Sequence, residues 1–399
     1  MKRELVVSIC TVLVIILFSA LIIYMVEPKV GSKEVVKVGF IYNGDESVAY
    51  SNNFAVARNQ VKKEYGKGIK IYEVKNVSED KITDALKELT DDECDIIFSN
   101  SFEFGDEVKE YAKEHKDIEF CQATCSNANQ EPVVKNYHTF MGEIYEGRYV
   151  SGVVAGIKIK DMISKGELDL DDTVVGCVAS FPCAEVVSGY TAFLMGVRSV
   201  EPTAVLKVVY ANTWSDYSTE YECAKKLIDA GCVVICQHTD TIGPAVACEE
   251  TDGKNVVYHI GYNETMINIA PTTSLVSCRI DWEPYISGAI GAVIDGKSIE
   301  KAVKGNVHGN DIGAGFDQGW VEMKEINDLL LPSDTNETIT KLIQKFKKGD
   351  VHVFVGNYEG VSVDDPNDTI NLDMEYIENE KSSAPSFDYV LKDVVEIIE

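Results

Sequence analysis

A chain of 399 residues exceeds what one hydrophobic core usually supports, and an apolar fraction of 45% excludes a largely disordered protein. Its net charge of −28 argues against nucleic-acid binding, because a surface that repels phosphates forgoes the attraction on which such binding leans. Two folded lobes with a well-solvated acidic surface are the expectation.

Leu5 to Val26 carries no charge and runs for about 22 residues, enough to cross a hydrocarbon core as a helix. Lys2 and Arg3 precede it, which keeps the amino end in the cytoplasm. No small-residue cleavage site stands near Tyr24 to Lys29, and Cys10 lies too early, after Ile9, to be a lipoprotein cysteine. The segment reads as an uncleaved single-pass membrane anchor, with the cytoplasmic tip, anchor and linker over 1–32 and the remainder outside.

Val35, Val36, Val38, Phe40 and Ile41 form a nearly continuous apolar run, the pattern of a strand buried on both faces. Asn43-Gly44-Asp45 breaks it, and Phe54, Ala57, Val61 and Tyr65 follow at helical spacing. Further strands at Ile69 to Val74, Cys94 to Asn100 and Ile118 to Ala123 alternate with helical patterns, the signature of βαβ units in a parallel sheet. This predicts a first α/β lobe over 33–142.

Glu143 to Lys158 is a longer helical pattern with Gly147, Ser151 and Ala155 in register and Gly152 and Gly156 beside them. Small residues every four positions let a helix lie close against a neighbour; Glu146, Arg148 and Lys158 oppose the competing reading as a second membrane span. With the polar stretch that follows, it makes a crossing helix and linker over 143–172. Strand-helix alternation then restarts at TVVGCVAS and runs through AVLKVVY, CVVICQHTD, NVVYHIGY and SLVSCRI to a helix over Glu283 to Ile294, predicting a second lobe over 173–294. Residues 295–399 read as segments returning to the lobes and a tail, acidic and irregular from Asp364 to Ser386, that lies on the surface.

Enzymatic signatures are missing: no G-x-S-x-G, no phosphate loop with Lys-Ser/Thr, no H-E-x-x-H and no G-x-G-x-x-G after a strand. Without an anion-cradling loop, a neutral or weakly polar ligand is favoured over a phosphorylated one. The odd count of 11 cysteines does not suit an oxidised framework, and most sit in apolar runs as small core residues. Cys121 and Cys125 have metal-compatible spacing but no second pair, so neither metal nor cofactor is expected.

What recurs is an aromatic beside a polar or acidic residue at the carboxyl end of each strand, where ligands of open α/β sheets sit. The first loop delivers Tyr50 and Asn53; CDIIFSN delivers Ser101, Phe102 and Glu103; VVGCVAS delivers Phe181. LKVVY delivers Trp214 and Asp216, CVVICQ delivers His238, Thr239 and Asp240, and NVVYHI delivers Tyr262 and Asn263. Stacking faces with a few edge-directed hydrogen bonds suit a planar heterocycle such as a purine. Each residue also has a plainer reading: aromatics after strands pack lobe interfaces, and Asp216 fits a helix cap.

GFIYNGDESVAYSNNFAVAR, IIFSNSFEFGDEV, EIYEGRYVSGVVAG, the S-F-P strand end and Q-H-T-D occur in an order that resembles the basic membrane protein family, substrate-binding proteins of ABC importers related to purine nucleoside receptors. The resemblance covers Lys33 to Ile294 most closely. It implies a type I periplasmic-binding-protein fold, two doubly wound parallel-sheet lobes, here preceded by one transmembrane helix. It further implies closure on a purine base or nucleoside, delivery to ABC permease subunits, and no catalysis. By matching motif, the ligand-binding candidates are Tyr50, Asn53, Phe102, Phe181, Trp214, Asp216 and Asp240, with Asn263 at the last second-lobe strand. Trp282 joins them, standing where relatives have Trp-Gly-Pro-Tyr. Val48 replaces a tryptophan usual in close relatives, and Gly261-Tyr262-Asn263 lacks the aspartate that purine nucleoside receptors carry for ribose. This favours a free base or a different small molecule over a nucleoside. The competing classes are a ligand-sensing ectodomain of a membrane signalling system and an enzyme acting on a nucleoside.

Overall fold

The computed structural model describes residues 35–253 and 256–398. The membrane-spanning helix expected over Leu5 to Val26 lies outside them, and among the described residues no helix is long and apolar enough to cross a membrane. The chain runs β1 (Val36–Ile41), α1 (Ala49–Tyr65), β2 (Ile69–Val74), α2 (Ile82–Asp91), β3 (Ile96–Ser99), α3 (Gly105–Glu114), β4 (Glu119–Ala123) and β5 (Tyr137–Gly142). It crosses into α4 (Ile144–Ser164), β6 (Val174–Ala179), α5 (Ala184–Val200), β7 (Val205–Tyr210), α6 (Tyr217–Asp229), β8 (Val234–His238), α7 (Gly243–Glu249), β9 (Tyr258–Tyr262) and β10 (Ser274–Ile280). Then come α8 (Glu283–Asp295), α9 (Ile299–Ala302), β11 (Asn306–His308), β12 (Asp311–Ala314), β13 (Val321–Met323) and α10 (Thr335–Phe346). The tail adds β14 (Glu359–Ser362), β15 (Thr369–Asn371), β16 (Tyr389–Leu391) and β17 (Val395–Ile397).

Two seven-stranded sheets result, ordered β11-β12-β5-β4-β3-β1-β2 and β13-β10-β9-β8-β6-β7-β17, with a three-stranded β15-β14-β16 sheet beside them. The central strands pair in parallel and are covered on both faces, which is why they read as continuous apolar runs. Phe40 and Phe98, in register on β1 and β3, stack at 5.3 Å.

Three crossings join the lobes: β5 to α4, β10 to α8, and β12 to β13. They are tied to each other by main-chain bonds from Glu143 N to Ala314 O at 2.9 Å and from Asp281 N to Trp320 O at 2.8 Å. Glu146 accepts from Phe316 N at 2.6 Å across the same junction.

The small residues of α4 do what their spacing predicts. A Cβ on Gly152 would stand 2.0 Å from Phe193 O, and one on Gly196 of α5 would stand 2.0 Å from Tyr149 O, so the two backbones touch only because both side chains are absent. The helix over Glu283 to Ile294, read from sequence as the end of the second lobe, packs on the first instead. Tyr65 Oη donates to Ser287 O at 2.8 Å and Tyr285 stacks on Phe140 at 3.8 Å. Its periodicity announces a helix but not the lobe it returns to.

Within Asp364 to Ser386, expected to be irregular and on the surface, β15 forms and Leu372, Glu378 and Ser383 are buried. Beyond it, Phe387 stacks on Phe354 at 4.5 Å and β17 extends the second sheet by pairing with β7.

Candidate functional site

The carboxyl ends of both sheets meet at one cavity of about 120 Å³. On the first-lobe side, the N–H of Asn43 donates to Asn100 Oδ1 at 2.9 Å, and Ser51 Oγ donates to Asn43 Oδ1 at 3.0 Å, locking the tips of β1 and β3 together. Tyr50, in the first turn of α1, donates its hydroxyl to Asn100 O at 2.5 Å, while its ring stands edge-on to Phe54 and Trp282. Phe102, just past β3, is 69% exposed at the cavity rim, where an apolar ring has no core to fill. Thr124 follows β4 with φ of 63°, a left-handed conformation that a β-branched residue adopts only under constraint.

The second lobe supplies the opposite wall. Trp214, after β7, packs on Phe181 at 5.4 Å, and its carbonyl accepts from the N–H of Asp240 at 2.9 Å, tying the β7 and β8 tips. His238 ends β8 with its ring 4.9 Å from that of Tyr262, which ends β9. Beneath Tyr262 lies the buried Arg148 of α4, its guanidinium carbon 3.8 Å from the ring centroid and one N–H donated to Gln237 O at 2.7 Å. Asn263, also left-handed with φ of 63°, donates Nδ2 to Asp240 Oδ1 at 2.9 Å. Glu185, in the first turn of α5, completes the wall with Oε1 3.5 Å from His238 Nε2.

Burial pushes the Asp240 carboxyl up to about 7; Asn263 and Arg148 oppose this, and the Glu220 and Glu185 carboxylates reinforce it. His238 is pushed down to about 4 by burial and by Arg148, against the pull of Glu185, so its ring is neutral at physiological pH.

Of the nine residues singled out from sequence, Tyr50, Phe102, Trp214, Asp240 and Asn263 line this cavity. The other four stand off its walls. Asn53 is buried at the β10–α8 crossing, donating to Ile280 O at 2.7 Å and accepting from Arg279 Nη1 at 3.1 Å. Trp282 is core of the first lobe, stacked on Phe54 at 4.4 Å. Asp216 caps α6, accepting from Thr219 N at 2.7 Å, and Phe181 stands behind Trp214. Asn43, Asn100, Thr124 and Glu185 went unselected. All four are strand-tip or first-turn residues, so the rule that found Tyr50 applied evenly along the chain would have reached them. Among the described residues no cluster of His, Cys, Asp and Glu is suited to hold a metal ion.

Two parallel-sheet lobes joined by three crossings around a cavity lined from both define the periplasmic-binding-protein fold. Solved ABC-transporter solute-binding proteins share this fold. One from Conexibacter woesei superposes with a TM-score of 0.63 at 16% identity, covering 79% of this chain and 97% of that one. Another, from Aeropyrum pernix, gives 0.64 at 14% identity, covering 79% and 92%. The chain belongs to the Bmp family, ABC transporter substrate-binding proteins of the PnrA-like type, whose family model matches residues 35–352. It is 29% identical to the purine-binding protein of Brucella abortus over 329 residues, 82% of this chain and 85% of that one. A Haloferax volcanii protein provisionally named an ABC transporter glucose-binding protein is 32% identical over 204 residues, 51% of this chain and 47% of that one.

Proposed function

We propose that this chain is the extracytoplasmic receptor of an ABC importer, capturing a purine base or nucleoside by hinge closure and presenting the closed form to the permease. The apolar segment Leu5 to Val26 tethers it to the membrane. The observation that carries this reading is the convergence of four rings from two lobes, Tyr50, Phe102, Trp214 and Tyr262, on a hollow whose polar groups include Asp240 and Asn263. Rings above and below desolvate a flat heterocycle, and amide or carboxylate groups fix its edge. The volume, about 120 Å³, is below that of an engineered cavity of roughly 150 Å³ that holds the single ring of benzene, so the lobes must part to admit a bicyclic base and part further for a nucleoside.

Closure rests on the lobes being joined through three crossings and on a bond made across the cleft, from Asn52 Nδ2 of α1 to Glu264 Oε1 beyond β9. Ligand contacts with both lobes then favour the closed state by their differential affinity, and no bond in the ligand is made or broken. The Brucella relative's name supports a purine, and family membership favours a transport receptor over a signalling ectodomain. Isothermal titration with adenine, guanine, adenosine, guanosine, inosine and glucose tests the reading. A purine binding at micromolar levels or tighter is the expected result; silence of all five purines, or a response to glucose alone, removes the purine assignment.

A further inference from the structure

Glu103, Glu185 and Asp240 line the cavity, whereas no lysine or arginine does. Arg148, the cation beneath, is separated from it by the Tyr262 ring. The acidic wall is accompanied by a second signal. His238 is 2% exposed and lines the same hollow; among the described residues Nδ1 has no hydrogen-bond partner, and Nε2 has only the Glu185 carboxylate, at 3.5 Å. The Asp240 carboxylate is half used: Asn263 occupies Oδ1, and among the described residues Oδ2 has no hydrogen-bond partner. The unmet imidazole nitrogen is a cost the protein leaves uncompensated, while the free oxygens of the half-buried Asp240 and Glu185 carboxylates stay open to the cavity.

We infer that the cleft chooses its ligand by the N–H donors it offers: an amino-bearing or protonated heterocycle, received by Asp240 and Glu185, with anionic heterocycles turned away. This rests on the planar-heterocycle reading above and names its chemical class. A donor-rich edge supplies what the open carboxylate oxygens and the unmet imidazole nitrogen lack. An anion would add a third like charge to two carboxylates with no facing cation, in a pocket where water screens little. The chain's net charge of −28 acts in the same direction at long range by slowing the approach of anions.

Competition titration at pH 8 with the full-length chain separates the possibilities, using adenine, guanine, xanthine and urate as probes. Adenine and guanine, which carry exocyclic amino groups, are expected to bind at least about tenfold tighter than xanthine and urate, which lack them and carry negative charge at that pH. Glu185→Gln should narrow the adenine-to-xanthine ratio severalfold by relieving the repulsion, and Asp240→Asn should weaken adenine more than xanthine. Xanthine or urate binding as tightly as adenine would overturn the donor rule while leaving the planar-heterocycle reading intact. An unchanged ratio in both variants, with their thermal stability retained, would overturn the assignment to these two carboxylates. Silence of all four bases would overturn the donor rule, and the planar-heterocycle reading would fall with it only if adenosine, guanosine and inosine are silent too.

Discussion

Asp240 is the residue at which burial, strain and charge meet. Its partner Asn263 is held left-handed, as is Thr124 opposite, so each lobe places one strained backbone at the cavity, while Asn76 and Asn212 carry the same conformation past β2 and β7. With its carboxyl raised to about 7 by burial, Asp240 is still largely protonated at pH 6, facing Glu185, Glu220 and Arg148 from three different helices. A donor ligand needs the ionised form, so adenine affinity should rise about tenfold from pH 6 to pH 8 and lose this slope in Asp240→Asn. Stability of the empty protein runs the other way. A carboxyl whose folded pKa lies above its unfolded one holds a proton that the unfolded chain has released, and that contribution disappears as pH rises through the folded value. Burial raises Glu143 to about 7 and Glu146 to about 8 at the crossing, so all three act together; below pH 6.5 the buried neutral His238 and His259 oppose them, and Tm should fall between pH 6.5 and pH 8. A Tm that climbs over that interval would contradict this assignment. The type of these residues was legible in sequence, whereas their orientation was not. Asn53 and Trp282 have the composition of ligand contacts, but α1 turns Asn53 toward the main chain of the crossing and Phe54 covers Trp282.

At the scale of elements, α4 and α5 form the densest helix pair, and the sequence foretold the closeness of one partner without naming the other. Gly196→Ala places a methyl group within the radius of Tyr149 O, which forces the helices apart. The cost should be about 1–3 kcal/mol by chemical denaturation. Gly68→Ala, where nothing lies within 4 Å of the added carbon, should change stability by less than about 0.5 kcal/mol. Equal effects of the two would show that helix contact is not what Gly196 permits. Strand-helix alternation made both sheets readable, because each βαβ unit is local and each apolar run is buried on two faces. The destination of α8 was hidden, since the same amphipathic pattern serves either lobe once the chain has passed Ile280.

Across the whole molecule, the tail joins what the three crossings already join. Residues 353–398 lie beyond the family match, and from sequence the acidity of Asp364 to Ser386 argued for a solvated appendage. That reading missed how few groups are needed to dock it. Asp311, buried on β12 of the first sheet, accepts from Ser383 N at 2.6 Å, Ser383 Oγ at 2.5 Å, Ser382 Oγ at 3.0 Å and Thr139 Oγ1 at 2.9 Å. A few residues on, Glu378 accepts from Phe387 N at 2.8 Å, and β16 and β17 lie on the second lobe. The tail is thus pinned to one lobe by a single carboxylate and to the other by strands, so Asp311 decides whether it spans the hinge. Asp311→Ala leaves a buried N–H and three hydroxyls without this acceptor and should cost about 2–4 kcal/mol. The loss should appear as faster amide hydrogen exchange over residues 379–388, with β17 protected as before. Asp365→Ala, on the exposed β14–β15 turn, should leave exchange across 379–388 unchanged. If Asp311→Ala leaves that segment as protected as the parent, strand pairing with the second lobe alone holds the tail, and its bridge to the first lobe contributes nothing to hinge geometry.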